Sequence, residues 1–150
     1  MTGPAALRTG GLVVVTALAG CAEAPAPGPV TLDPALSAQV KSDMRPLHLA
    51  QLVADICPEI QLDAEAWATE FDKVAERFET AGGNPRTFET YIAGASIRAD
   101  LDSYLAEMAQ HGIAIRDPGA SFTAQQRDSA CRWGRQEIAA KSAIGEVLGA

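Results

Sequence analysis

The class of fold is decided by one stretch of the chain, residues 63–83, which reads DAEAWATEFDKVAERFETAGG. Its large apolar residues recur at intervals of four, three and four, the spacing of one face of an α-helix; they are Trp67, Phe71, Val74 and Phe78. Asp63 is a good N-cap, and Gly82 and Gly83 are suited to end the helix. The stretch therefore predicts an amphipathic helix whose apolar face packs against a core.

Helical spacing continues on both sides of this stretch. Residues 44–57 predict a helix with an apolar stripe, and Pro46 suits its first turn. Asn84 and Pro85 predict the start of a shorter helix, because proline is favoured at the first helical position. Residues 97–108 carry the apolar stripe of another helix.

A final helical region is expected near the C-terminal end, capped by Thr123 or Ser121. Gly134 and Ser142 are candidate breaks within it. No segment alternates convincingly between apolar and polar residues, so no strand is predicted. Together these patterns predict an all-α fold, a small orthogonal bundle of about five helices with one disulfide, over residues 41–150.

Composition limits the classes of protein to which the chain can belong. It has 150 residues, of which 47% are hydrophobic and 21% charged, which is typical of one globular domain. The net charge is -7, and the basic residues are scattered rather than clustered. This pattern argues against nucleic acid as a partner and offers no polybasic attraction to anionic lipid.

The N-terminal residues have the form of a secretion signal. Arg8 precedes an apolar run, residues 10–20, that is eleven residues long, whereas a membrane-spanning helix needs about 20. The end of the run resembles a bacterial lipoprotein signal, carried by Leu18, Ala19, Gly20 and Cys21. This resemblance implies a signal peptide over residues 1–20 and a fatty-acid anchor (diacylglycerol, palmitate) on the Cys21 thiol. An ordinary signal peptide and a retained signal anchor remain the alternatives.

Residues 21–40 are predicted to be the lipidated cysteine and a Pro/Ala-rich tether. A proline-rich stretch is semi-rigid and extended, at about 3 Å per residue. The lipid would make a membrane the first partner of the protein and would place it in the bacterial cell envelope, facing the periplasm. Ala22, in place of the aspartate that commonly retains such proteins at the inner membrane, favours the outer membrane.

The cysteine count supports the same compartment. Lipidation of Cys21 would leave Cys57 and Cys131, which lie 74 positions apart. In an oxidising compartment these two are expected to pair, with two unpaired buried thiols as the alternative. There is no Cys-x-x-Cys motif, so a redox-active pair is not predicted.

The sequence contains no recognisable catalytic constellation. His48 and His111 lack metal-ligand spacing and are predicted to be surface or capping residues, and most acidic pairs are expected on solvated helix faces. We predict no metal site, no cofactor and no catalytic residue. The one candidate polar site comprises Arg135, Glu137 and Ser142, with helix packing and capping as the simpler interpretation of Ser142.

Two stretches, ADICPEI at 54–60 and ACRWGRQEIAAKSAIGEVL at 130–148, resemble a domain-of-unknown-function family of small exported bacterial proteins. Its members share an Ile-Cys-Pro motif and a closing pattern, which falls here on Cys131, Gly134, Glu137, Ile138, Ala139, Ser142, Ile144, Gly145 and Leu148. The resemblance covers about residues 45–150. It implies a helical fold with the two cysteines paired and supplies no activity.

The function favoured by these features is a lipid-anchored, non-catalytic module of the periplasm that interacts with another envelope protein or stabilises an assembly. A periplasmic inhibitor, an immunity-type protein or an acid-stress chaperone has a similar architecture and is the first alternative. The second alternative is a hydrolase that uses carboxylates.

Overall fold

The computed structural model of the protein describes residues 31–93, 96–115 and 121–149, with the backbone alone for residue 93 and residues 96–101. The predicted signal peptide, with its cleavage motif Leu18, Ala19 and Gly20, lies outside the described residues. The predicted lipidation site, Cys21, also lies outside them.

The described residues form five α-helices, one short 3-10 helix and two very short strands. The helices are α1 (Pro34–Ile56), α2 (Ala64–Thr80), α3 (Pro85–Ala93), α4 (Ser96–Gln110) and α5 (Ala124–Ala140). The 3-10 helix is Gly145–Val147, and the strands are β1 (Gln61–Leu62) and β2 (Leu148–Gly149). The predicted all-α class with one disulfide is confirmed.

Helix α1 begins ten residues before the start of the predicted helix. The Asp33 side chain caps it by accepting hydrogen bonds from the backbone N–H groups of Ala35 and Leu36. Residues 34–40, predicted to be tether, are therefore helical, and Val40 is buried in the core. Pro46 lies inside the helix rather than in its first turn, because the N-terminal half of α1 has apolar side chains to bury.

The core is built around α1, against which α2 and α5 both pack. Seven side chains of α1 are buried: Val40, Met44, Leu47, Leu49, Ala50, Val53 and Ile56. From α2, Phe78 enters the core beside Phe88 of α3, with ring centroids 5.1 Å apart. The apolar face predicted for α2 is thus the face that packs inward, although Trp67 and Phe71 are half-buried.

A disulfide joins the end of α1 to the middle of α5. Cys57 is the C-cap residue of α1, and its Cα lies 5.0 Å from that of Cys131. Both cysteines are buried. The expected pairing is confirmed, and the alternative of two free thiols is wrong.

Gly134 does not break α5, contrary to one expectation from the sequence. A Cβ atom at this position would lie 2.5 Å from Ile60 Cδ1 and 2.7 Å from Val53 Cγ1. Glycine is therefore present because α5 packs closely against the end of α1. The helix ends instead at Lys141, whose φ of 49° is left-handed.

After Lys141 the chain returns to the beginning of α2. Leu148 pairs with Leu62 in the antiparallel ladder of β1 and β2, and the Asp63 N–H donates to the Val147 carbonyl at 3.0 Å. Strands of two residues are too short to give an alternating pattern, so the sequence could not indicate them. None of the described helices is long and apolar enough to cross a bilayer.

Candidate functional site

A group of hydrogen-bonded polar residues lies where α5 ends and the C-terminal segment, residues 141–149, begins. Trp133 and Glu137 stand one helical turn apart, so the indole Nε1–H donates to Glu137 Oε1 at 2.7 Å. The Ser142 hydroxyl donates to the other oxygen, Oε2. The Gly145 N–H then donates to Ser142 Oγ at 3.1 Å. We call these four residues the Glu137 cluster.

Backbone contacts hold the Glu137 cluster in place. The Ser142 N–H donates to the Glu137 carbonyl oxygen at 3.2 Å. Gly145 lies directly against the same peptide group, and a Cβ atom there would come closer than 3.0 Å to it. The C-terminal segment can therefore fold onto the end of α5 only with glycine at this position.

One histidine lies beside the cluster. The His111 ring, just after α4, stacks on the Trp133 indole with centroids 4.0 Å apart and an interplanar angle of 9°. Trp133 is buried and the His111 residue is exposed, so the imidazole covers the indole on its solvent side. This stacking joins the end of α4 to α5.

The structure brings Glu137 and Ser142 together but does not add Arg135 to them. Arg135 Nη1 donates to Glu59 Oε2 at 2.7 Å, in an ion pair whose side chains are 56% and 69% exposed. The three predicted site residues are therefore split between the half-buried Glu137 and Ser142 and the exposed ion pair of Arg135. Two members of the cluster, Trp133 and Gly145, were not predicted as site residues, although the Trp-x-x-x-Glu spacing could have suggested the first.

The hydrogen bonds of the Glu137 cluster join the C-terminal segment to α5. Both carboxylate oxygens of Glu137 accept hydrogen bonds, and Ser142 Oγ donates one bond and accepts another. Each of these side chains thus has hydrogen-bond partners within the fold. The cluster satisfies polar groups that would be costly to bury alone, and it ties the C-terminal segment to α5.

The other histidine takes part in a contact between helices. His48 on α1 and Tyr104 on α4 share a hydrogen bond, with Nδ1 and the hydroxyl 3.1 Å apart. His48 is half-buried rather than on the surface. Within the described ranges, no three His, Cys, Asp or Glu residues are grouped so that they could hold a metal ion.

Two pairs of acidic residues are exposed, Asp55 with Glu59 and Glu76 with Glu79. Glu76 and Glu79 lie on α2, whereas Asp55 lies on α1 and Glu59 in the turn that follows α1. Two hollows flank α2 instead, and Glu70 lines both of them. The larger, of about 460 Å³, is open to solvent and is lined by four carboxylates and Lys73; these acids are Asp63, Glu65, Glu70 and Glu146.

The smaller hollow, of about 160 Å³, lies between α1 and α2. Pro46, Leu47 and Val74 give it an apolar lining, and the Arg77–Asp43 ion pair stands at its edge with Nε and Oδ2 3.0 Å apart. Neither hollow is lined by Arg135, Glu137 or Ser142. The hollows and the Glu137 cluster are thus separate features.

The model of a family of unknown function (DUF5333) matches residues 35–149. The match begins one residue into α1 and ends in β2, so it spans the whole described bundle. It confirms the resemblance to a domain-of-unknown-function family. No curated protein and no solved structure matches the chain.

Proposed function

The chain belongs to DUF5333, a family of unknown function, and on that premise we propose that it is a non-catalytic module of the bacterial cell envelope. In this proposal a lipid on Cys21 holds the domain at the periplasmic side of a membrane, with the outer membrane favoured. The domain then acts by contact with another envelope protein.

The observation that carries the proposal is the disulfide between Cys57 and Cys131. Disulfides persist in oxidising compartments and are rare in the cytosol, so a buried structural one supports export. It also leaves Cys21 as the unmatched cysteine of three. An odd cysteine in an exported chain needs its own chemistry, and lipidation supplies it.

The Glu137 cluster supports the non-catalytic part of the proposal. A nucleophile or general base needs a lone pair directed at a substrate. Glu137 and Ser142 hydrogen-bond to one another and to the neighbouring Trp133 and Gly145, and neither of them lines either of the two hollows beside α2. This favours a structural role for these residues of the C-terminal pattern.

Cell fractionation tests the anchor. The unaltered protein should sediment with membranes, resist extraction by high salt and incorporate labelled palmitate. Cys21→Ser should abolish the labelling and release the protein from the membrane fraction, whereas the neighbouring control Ala24→Ser should behave as the unaltered protein. If Cys21→Ser remains in the membrane after a high-salt wash, the anchor proposed here is wrong.

A further inference from the structure

The two sulfurs of the disulfide are enclosed by the packing of α1 against α5. Cys57 is fully buried, and Cys131 is 6% exposed. About one helical turn from each cysteine, Val53 and Gly134 lie so close together that a Cβ atom on Gly134 would be 2.7 Å from Val53 Cγ1. A thiolate must reach a sulfur to exchange with it. Exchange is therefore blocked in the folded domain, and the partner of each cysteine is chosen before the core closes.

In an unfolded chain, the separation of two cysteines along the sequence decides how often they meet. Cys21 and Cys57 lie 36 positions apart, whereas Cys57 and Cys131 lie 74 positions apart. The entropy of loop closure favours the shorter loop by about threefold. Cys21 and Cys131, 110 positions apart, meet least often. With three free thiols, only about a fifth of the first bonds would therefore join Cys57 to Cys131.

A bond between Cys21 and Cys57 is incompatible with the described fold. Cys57 is the C-cap residue of α1, and its sulfur is bonded to that of Cys131 within the α1–α5 interface. That interface has no room even for a methyl group on Gly134, so it cannot also admit residue 21 and its neighbours. A chain with this bond must exchange it before the core can be completed.

We propose that lipidation of Cys21 directs the disulfide to its native pairing, in addition to anchoring the protein. A diacylglyceryl group on the Cys21 sulfur is held through a thioether, which has no thiolate and therefore cannot take part in exchange. Cys57 and Cys131 are then the only free thiols in the sequence. This inference rests on the proposed function, because it requires the lipid on Cys21.

The oxidant in this reaction is a molecule that carries a reactive disulfide. The Cys57 thiolate attacks one sulfur of the oxidant, forms a mixed disulfide and releases the other sulfur as a thiolate. The Cys131 thiolate then attacks the Cys57 sulfur and releases the second sulfur of the oxidant. The domain thus loses two electrons and two protons, and the oxidant is reduced to two thiols.

Oxidation of the full, unlipidated chain tests the inference without the lipid. The reduced chain is oxidised by glutathione disulfide in urea, quenched early by alkylation, and its bonds are mapped by peptide mass. The Cys21–Cys57 bond should be about three times as abundant as the Cys57–Cys131 bond. The matched variant Cys21→Ser should form only the Cys57–Cys131 bond. The inference is overturned if the Cys21–Cys57 bond is not in excess.

The same oxidation without urea measures whether the wrong pairing delays the native one. The Cys57–Cys131 bond should form about three- to fivefold more slowly in the unaltered chain than in Cys21→Ser, because most first bonds must be exchanged. The control Ala24→Ser keeps all three thiols and should be as slow as the unaltered chain. Equal rates for Cys21→Ser and the unaltered chain would overturn the inference but leave the anchor intact. Absence of palmitate labelling in cells would instead contradict the anchor.

Discussion

Gly145 lies so close to the main-chain carbonyl of Glu137 that a methyl group on its Cα would come within 3.0 Å of the oxygen. The obstacle is backbone at the end of a helix, so it cannot move aside as a flexible side chain could. The fit of the C-terminal segment against α5 thus depends on the absence of a side chain at one position.

Gly145→Ala is expected to destabilise the protein by about 1 to 3 kcal/mol or more, because the added methyl group must displace the C-terminal segment. Urea denaturation followed by circular dichroism would measure the loss. Gly149→Ala is the matched control, because its Cβ would lie 3.9 Å from the nearest atom, the Gln61 carbonyl oxygen. This substitution should leave the free energy of unfolding nearly unchanged. Similar stabilities for the two variants would contradict this account of Gly145.

Gly134→Ala should also destabilise the protein by about 1 to 3 kcal/mol, but for a reason that a second substitution can relieve. The obstructing atoms are the side-chain ends of Ile60 and Val53. Ile60→Val removes the Cδ1 atom that would lie 2.5 Å from the new methyl group. In a double-mutant cycle, the pair should therefore cost less than the sum of the single changes. Simple additivity would show that Gly134 is required for another reason.

The substitutions Trp67→Phe and Trp133→Phe remove the same atoms from two different environments. The buried Nε1 of Trp67 has no hydrogen-bond partner, whereas that of Trp133 donates to Glu137. Trp133→Phe leaves a carboxylate oxygen without that donor and should cost about 1 to 3 kcal/mol more than Trp67→Phe. Equal losses in chemical denaturation would contradict the importance assigned to the Trp133–Glu137 hydrogen bond.

The disulfide should account for a large part of the stability. For two cysteines 74 residues apart, the chain-entropy model gives roughly 4 to 5 kcal/mol, so the double variant Cys57→Ala, Cys131→Ala should lose about that amount. Reduction of the unaltered protein should raise its intact mass by about two hydrogens. Cys21→Ser, which leaves this bond untouched, serves as the control and should retain the full free energy of unfolding.

The sequence predicted best where the structure depends on local chemistry. Asp63 caps α2, and Thr123 caps α5 in a capping box with Gln126, as short-range patterns allow. The start of α1 was misplaced because the proline-rich run before it extends to Pro34, which here occupies the first helical turn. The sequence predicted a tether for residues 34–40, but the segment is helical because Val40 and Met44 are buried in the core.

The candidate site shows the same division between local and distant contacts. Glu137 and Ser142 meet because they lie five residues apart across a helix end. Arg135 instead binds Glu59, which is 76 positions away, and no pattern within either segment reveals that pairing. The residue types of Arg135, Glu137 and Ser142 indicated a polar site. Tertiary packing decided which partner each of these side chains has.

The pairing of Leu62 with Leu148 joins two segments that are synthesised at different times. The first strand leaves the ribosome well before the second, and at ordinary translation speeds the interval is on the order of 5 to 15 seconds. The ladder cannot form before Leu148 is synthesised, and the disulfide cannot form before Cys131 is synthesised, so a shorter nascent chain cannot complete its core.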